Sequence, residues 1–160
     1  MIAYLDTPLG LLKLSSHHDK IISIEYIDQI HANKEETCHV LSEAINQLTH
    51  YFHGELTKFE LPLAPQGTDF QLKVWKLLQA IPYGKTISYS ELAMQMGDPK
   101  CLRAAARANG SNPLPIVIPC HRVIGSKGDL VGYSGGLAKK SWLLTHEKAD
   151  VMSQMNLFDK

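Results

Sequence analysis

Pro113-Leu114-Pro115-Ile116-Val117-Ile118-Pro119-Cys120-His121-Arg122-Val123 is the stretch from which the rest of the chain can be read. Three consecutive β-branched residues, Ile116, Val117 and Ile118, predict a buried strand that ends at Pro119 and delivers a thiol at a fixed place. Proline sets its own φ and biases the residue before it toward extended geometry. His121 is a candidate base and Arg122 a permanent cation. Both are expected to depress the Cys120 pKa and make thiolate available near neutral pH. On this reading Cys120 is a nucleophile, and its surroundings decide what it attacks.

Immediately upstream, Asp98 and Pro99 open a predicted helix over residues 99–108, with an acid at the cap and proline in the first turn. Lys100, Arg103 and Arg107 fall three and four apart on one stripe, and Ala104, Ala105, Ala106 and Ala108 are all small. Such a helix can bring its backbone close to a phosphate ladder or into a narrow groove. A solvated helix whose alanines favour helicity and pack tightly has the same spacing. A shorter helix, capped by Ser88 or Ser90 and running to Met96, precedes it. With Gly97 between them the two form a helix-turn-helix pattern. Before that, Thr68 or Asp69 caps a helix carrying Phe70, Val74, Trp75, Leu77 and Leu78, stopped at Ile81-Pro82-Tyr83-Gly84.

Downstream, Val123-Ile124-Gly125 leads to a turn at 126–129 and then to Gly132-Tyr133-Ser134-Gly135-Gly136, where glycines let the backbone approach a ligand closely. A last helix over 137–148 is expected to present Leu137, Trp142, Leu143 and Leu144 to the core.

The other end of the chain has a different pattern. Residues 2–5, 11–14 and 21–27 predict strands, with Ile22, Ile24 and Tyr26 alternating with polar residues as in an antiparallel sheet with one wet face. A helix over 36–53 places Val40, Leu41, Ala44, Ile45, Leu48 and Phe52 on one side and ends at Gly54. Residues 59–61 suggest a further short strand. The segment 61–67, with two prolines and a glycine, reads as a linker, which predicts domains at 1–66 and 67–150 and a tail at 151–160. The fold class expected is α/β in the broad sense, more strictly α+β: a small antiparallel sheet plus helix, then a mainly helical domain.

Net charge is zero over 160 residues, but residues 1–66 carry −5 and residues 67–160 carry +5. That asymmetry suggests that the second part meets a polyanion, although charge halves also differ without purpose. No window is apolar enough to span a membrane, no leader is evident at the start, and three cysteines at irregular spacing argue against a disulfide framework. A reducing cytoplasm is the expected location. Cys38, His39, His50 and His53 lack the spacing of a closed metal site, so no metal and no cofactor are expected.

Ile118-Pro119-Cys120-His121-Arg122-Val123, preceded by residues 108–113 and followed by residues 132–137, resembles the O6-alkylguanine-DNA alkyltransferase family. Residues 81–89 and 144–147 resemble the family's other signatures, in the same order. The resemblance is strong over 69–148 and holds only in outline for the N-terminal domain, which it implies is ribonuclease H-like. It implies direct, irreversible transfer of an alkyl group from O6-alkylguanine in duplex DNA to Cys120, with O4-alkylthymine as a second candidate substrate. The nucleotide would be flipped out of the minor-groove face and each molecule would act once. His121 would deprotonate Cys120 through a water, Glu147 would orient the imidazole, and Asn112 would brace the turn. Tyr89, Val123, Tyr133 and Ser134 would hold the base. Arg103 would fill its place in the stack, with Lys100, Arg107 and Ala104 along the DNA.

Each role has a plainer counterpart. His121 is a structural histidine, Asn112 an Asx-turn residue, Tyr89 and Tyr133 core aromatics. Arg107 departs from a usual glycine and Cys101 from a usual alanine. A monomer is expected. The tail sequence Gln154-Met155-Asn156-Leu157-Phe158 resembles the pentapeptide by which bacterial repair proteins dock on the sliding DNA clamp, departing from it at the second position; Gln154, Leu157 and Phe158 would carry the contact. Two other classes fit parts of the pattern: a cysteine hydrolase using Cys120 and His121, and a helix-turn-helix module that binds DNA without chemistry.

Overall fold

The computed structural model describes residues 1–30, 38–133 and 135–149, which fall in two compact units, Met1–Gln66 and Gly67–Lys160. Ser134 and the Gln154-Leu157-Phe158 motif of the tail lie outside the described residues.

In the first unit, β1 (Ile2–Thr7), β2 (Gly10–His17) and β3 (Lys20–Ile27) form an antiparallel sheet in chain order. Ala3, Leu14 and Ile24 face each other across the three strands and are all buried. The expected alternation in β3 holds only from Ile24 onward. A bulge at Ser15/Ser16 shifts the register, so that Ile21 rather than Ile22 joins the core. His18 and Asp19 make the tight β2–β3 turn with φ of 49° and 60°.

Helix α1 (His39–Phe52) buries Val40, Leu41, Ala44, Leu48 and Tyr51. Its buried Gln47 accepts from the Glu60 amide at 2.9 Å and donates to the Glu60 carbonyl at 3.0 Å, stapling the returning chain to the helix. Residues 59–61 therefore form no strand. Pairing occurs instead one step later, where Leu63 bridges Ile21 in parallel.

The second unit opens with Thr68 in a full capping box on α2 (Asp69–Gln79). Trp75 on α2 is buried and donates from Nε1 to the Ala108 carbonyl at 2.8 Å. Gly67 lies so close to its ring that a Cβ would meet it at 2.6 Å, so no other residue fits there unmoved. β4 (Ile87–Ser88) pairs in parallel with β5 (Val123–Ile124). Ser88, not Ser90, caps α3 (Tyr89–Gln95).

The basic segment is not one helix. A 3-10 turn, Pro99–Cys101, is capped by Asp98 and precedes α4 (Leu102–Gly110). Helices α3 and α4, with Gly97 at φ 96° between them, make the helix-turn-helix. Ala105 and Ala108 are the buried side of α4, small enough for α4 to lie close against its neighbours. The last helix, α5 (Leu137–His146), buries Lys140, Leu143 and Leu144. Leu137, expected in the core, is half exposed.

The stretch 113–123 departs furthest from the strand that its sequence predicts. Ile116, Val117 and Ile118 are buried as expected but form no strand. Prolines at 113, 115 and 119 remove three amide donors that a ladder would need. The remaining groups close on themselves: the Ile118 amide donates to the Leu114 carbonyl and the Cys120 amide to the Ile118 carbonyl, both at 2.8 Å. Ile116 sits at φ 75°, an unusual place for a β-branched residue. Asn112 holds the coil. Its Nδ2 donates to the Ile118 carbonyl at 2.7 Å and its Oδ1 accepts from the Leu114 amide at 2.9 Å.

Candidate active site and nucleic-acid interface

Cys120 begins a 3-10 turn, Cys120–Arg122, in which all three side chains are buried. The coil fastened by Asn112 enters it and β5 leaves it, so the thiol is fixed from both sides. Asn109, at the end of α4, donates from Nδ2 to the Cys120 carbonyl at 3.3 Å and ties the turn to the basic helix.

The turn projects His121 and Arg122 onto one carboxylate. His121 Nε2 lies 2.8 Å from Glu147 Oε2. Arg122 Nε donates to Oε1 at 2.8 Å and Nη2 to Oε2 at 3.0 Å. Glu147 is the residue that closes α5. Burial opposes its ionisation, yet the His121 hydrogen bond and the Arg122 pair hold its carboxyl far below the usual range. An ionised carboxylate can only accept, so His121 Nε2 carries the proton and Nδ1 presents a lone pair. That Nδ1 is buried and has no hydrogen-bond partner among the described residues. Burial, the foremost cause, together with the Arg122 and Lys140 cations, keeps the His121 pKa below its ordinary value despite Glu147. The ring is a neutral base at physiological pH.

The expectation that His121 and Arg122 depress the thiol pKa is not met. Burial pushes the Cys120 pKa up; Asn112 and the Lys140 charge pull against it. Arg122 is spent on Glu147, not on the thiol. The isolated protein therefore stores a thiol, with a base close by in sequence.

Lys140 is not among the candidate site residues that the sequence offers. It is fully buried, and Nζ donates to the Val123 carbonyl and the Val131 carbonyl at 2.7 Å each, and to Tyr89 Oη at 3.4 Å. Burial lowers its pKa to about 8, and the Cys120 charge opposes that. A signal existed: position 140 is three and four residues before Leu143 and Leu144, on the core face of α5. Tyr89 is buried too, donates from its hydroxyl to the Val131 carbonyl at 2.8 Å, and has its pKa pushed up to about 12 by burial and the Cys120 charge. Tyr89, Val123 and the chain at Val131 are thereby joined through one ammonium, and buried Tyr133 follows two residues later. Ser134 lies outside the described residues.

In the helix-turn-helix, Lys100, Arg103 and Arg107 are exposed, and Ala104 is partly exposed. Among the described residues none of the three forms a salt bridge, so their charge is available to an external anion. Among the described residues no cluster of three or more His, Cys, Asp or Glu is arranged to hold a metal.

A helix-turn-helix with an exposed basic helix, built into the same unit as a buried thiol, is what a DNA-binding protein that reacts through cysteine requires. Residues 69–149 match the 6-O-methylguanine DNA methyltransferase DNA binding domain, and residues 1–65 match the ribonuclease-like domain of the same enzymes. The chain belongs to the 6-O-methylguanine DNA methyltransferase family. It is 44% identical to a methylated-DNA--protein-cysteine methyltransferase of Mycolicibacterium paratuberculosis, covering 99% of this chain and all of the relative. A constitutive enzyme of that name from Bacillus subtilis is 40% identical, over 89% of this chain and 92% of its own. Among solved structures, Mycobacterium tuberculosis OGT in complex with DNA superposes with a TM-score of 0.83 at 42% identity, covering 95% of this chain and 97% of that one.

Proposed function

We propose that this protein repairs DNA by moving the alkyl group of O6-alkylguanine onto Cys120 Sγ, once per molecule. The observation that carries the reading is the buried thiol on a turn whose next residue is a neutral, Glu147-oriented imidazole, in a chain of this family. Sγ loses its proton by way of a water to His121 Nδ1 and attacks the alkyl carbon. The carbon–oxygen bond breaks, guanine leaves as an anion that takes up a proton, and a thioether remains. A thioether is a poor leaving group, so the site is not regenerated. Glu147 stabilises the imidazolium formed on the way, as the third member of a triad does. Asn112 keeps the turn in place.

A stacked base does not reach a buried thiol, so the nucleotide is turned out of the duplex. In this proposal α4 enters the minor groove. Arg103 takes the vacated position, Lys100 and Arg107 neutralise phosphates, and Ala104 permits close approach. Tyr89, Val123, Tyr133 and Ser134 receive the base; a donor to O6 there stabilises the departing anion as an oxyanion hole would. O4-alkylthymine is a second candidate substrate. The working division is 1–66, 67–150 and a tail at 151–160, in a cytoplasmic monomer.

Intact mass after incubation with a duplex bearing O6-methylguanine tests the chemistry. The expected result is a stoichiometric gain of about one methylene, absent in Cys120→Ala. Lesion binding with no gain would leave a binding module, and turnover of an ester would indicate a hydrolase. The tail is proposed to tether the protein to the sliding clamp through Gln154, Leu157 and Phe158, raising its concentration on newly copied DNA. Equal clamp binding by wild type and Leu157→Ala/Phe158→Ala would remove that part.

A further inference from the structure

The transfer reaction above supplies no task for two members of the buried charge cluster, Lys140 and Arg122, and of these Arg122 is the one bonded to the Glu147 carboxylate. Its bonding is more specific than a salt bridge requires. Two of its nitrogens grip the two oxygens of Glu147, while Nη1 donates to the Ile81 carbonyl at 2.7 Å and the guanidinium lies over the Tyr83 ring, 5.7 Å from its centroid. The fork is thus locked in its own plane, and so is the carboxylate it holds. Oε2, shared at 3.0 Å with Arg122 Nη2, is the oxygen that meets His121 Nε2.

We propose that Arg122 is a positioning residue for the transfer step: by fixing Glu147 it dictates which nitrogen of His121 carries the proton, and it keeps the imidazole neutral, with the other nitrogen ready to accept one. The inference rests on Cys120 being the alkyl acceptor with His121 as its base.

His121 and Glu147 titrate as a pair, because they share a hydrogen bond in a buried site. Any fixed cation beside the pair makes its additional proton harder to bind. Arg122 supplies such a charge at hydrogen-bond distance. Among the described residues, the other ionisable groups acting on the pair are Lys140 from α5, whose charge reaches His121, and Tyr83 from the loop after α2, which feels the Glu147 charge; Cys120 is the next residue on the turn. Lys140 acts in the same direction as Arg122 but without touching the carboxylate, so it maintains charge and not geometry. Removing Arg122 therefore lets the pair take up its proton at higher pH, and frees the carboxylate to rotate away from Nε2.

The test is single-turnover transfer from O6-methylguanine duplex across pH 5–9, for wild type, Arg122→Met, Arg122→Lys and Glu147→Gln, each checked for a cooperative urea transition. Arg122→Met is expected to move the acid limb of the rate profile up by about one pH unit, the low end of what one adjacent charge does. Lesion affinity should stay as in wild type. Arg122→Lys keeps the charge without the fork, so its limb should stay near that of wild type. Its plateau rate should fall about tenfold, the equivalent of one hydrogen bond to a charged group. In the Glu147→Gln background, Arg122→Met should shift nothing further. Nitrogen-15 spectra of the His121 ring read the tautomer directly, and Nδ1 should lose its unprotonated signature in Arg122→Met at a pH where wild type keeps it.

A uniform fall in rate with the limb and tautomer unchanged would make Arg122 a structural ion pair and end the proposal. So would an unchanged plateau and unchanged tautomer in Arg122→Lys, which decides the matter if Arg122→Met does not fold. Absence of mass gain in wild type is a different failure, and would instead overturn the alkyl-transfer reading.

Discussion

The two units bury polar groups in opposite ways. The first encloses Ser16 and Gln47, both uncharged, and Gln47 satisfies the main chain at Glu60. The second encloses Asn109, Asn112, His121, Arg122, Lys140 and Glu147, four of them ionisable. Buried charge is costly unless it is paired and hydrogen-bonded, and a hydrophobic replacement often serves stability better. A unit that nevertheless concentrates such groups around one thiol is organised for reaction, while the other is organised to fold. The contrast by itself locates the chemistry in the second unit.

The contrast can be broken most directly at Glu147. Glu147→Ala should destabilise the second unit by about 3–5 kcal/mol, because it strands the Arg122 guanidinium in the interior. Urea unfolding checks it, and a loss below about 1 kcal/mol would mean that the cluster is wetter than its burial indicates.

Next in size is Lys140. The folded protein releases this proton at about 8, against 10.5 for an ordinary lysine. Between those values the unfolded chain binds more protons, so stability should rise with pH through that window, by on the order of 3 kcal/mol at most. Cys120 and Tyr89, whose pKa values are raised, oppose that trend at higher pH. The measurement is therefore best made between pH 8 and 10 in a Cys120→Ala background, where Lys140→Met should flatten the slope.

Gln47→Ala, the corresponding deletion in the first unit, should cost about 1–3 kcal/mol, since it leaves the Glu60 amide and carbonyl unpaired and takes a donor from the Glu43 carboxylate. Smallest of all in stability is Arg107→Ala. It lies on the exposed face of α4 and should change unfolding by less than about 0.5 kcal/mol. If Arg107 contacts phosphate as proposed, the slope of log affinity for DNA against log salt should fall by about one.

Legibility from sequence divided along similar lines. The sheet, α1, the capping box on α2 and the helix-turn-helix announce themselves through periodicity and caps, which are local properties. The Ile116–Ile118 run misleads because a β-branched triplet reads as a strand wherever its hydrogen bonds go. Here three prolines and the side chain of Asn112 take those bonds away from any ladder. The β3 core face is misread by one residue because a bulge leaves no mark in the residues that form it. In the site, Cys120, His121 and Glu147 are legible through resemblance. The destination of Arg122 is not, because a residue's neighbours in sequence say little about which carboxylate 25 positions away will meet it. Lys140 is hidden by its type: a lysine on a helix is expected to face water, and only its spacing from Leu143 and Leu144 argues otherwise.

Trp75, packed against Gly67 and bonded to the Ala108 carbonyl, has an optical consequence. The chain contains two tryptophans, and Trp142, half-buried and stacked on the His146 ring at 4.8 Å, is the other. Both belong to the second unit, so emission excited at the red edge of the indole band is blind to residues 1–66. Trp75 reports the junction of α2 with α4, and Trp142 reports the last turn of α5, next door to Glu147. Comparing that emission with far-ultraviolet dichroism, which registers sheet and helix throughout the chain, will reveal whether the two units melt as one.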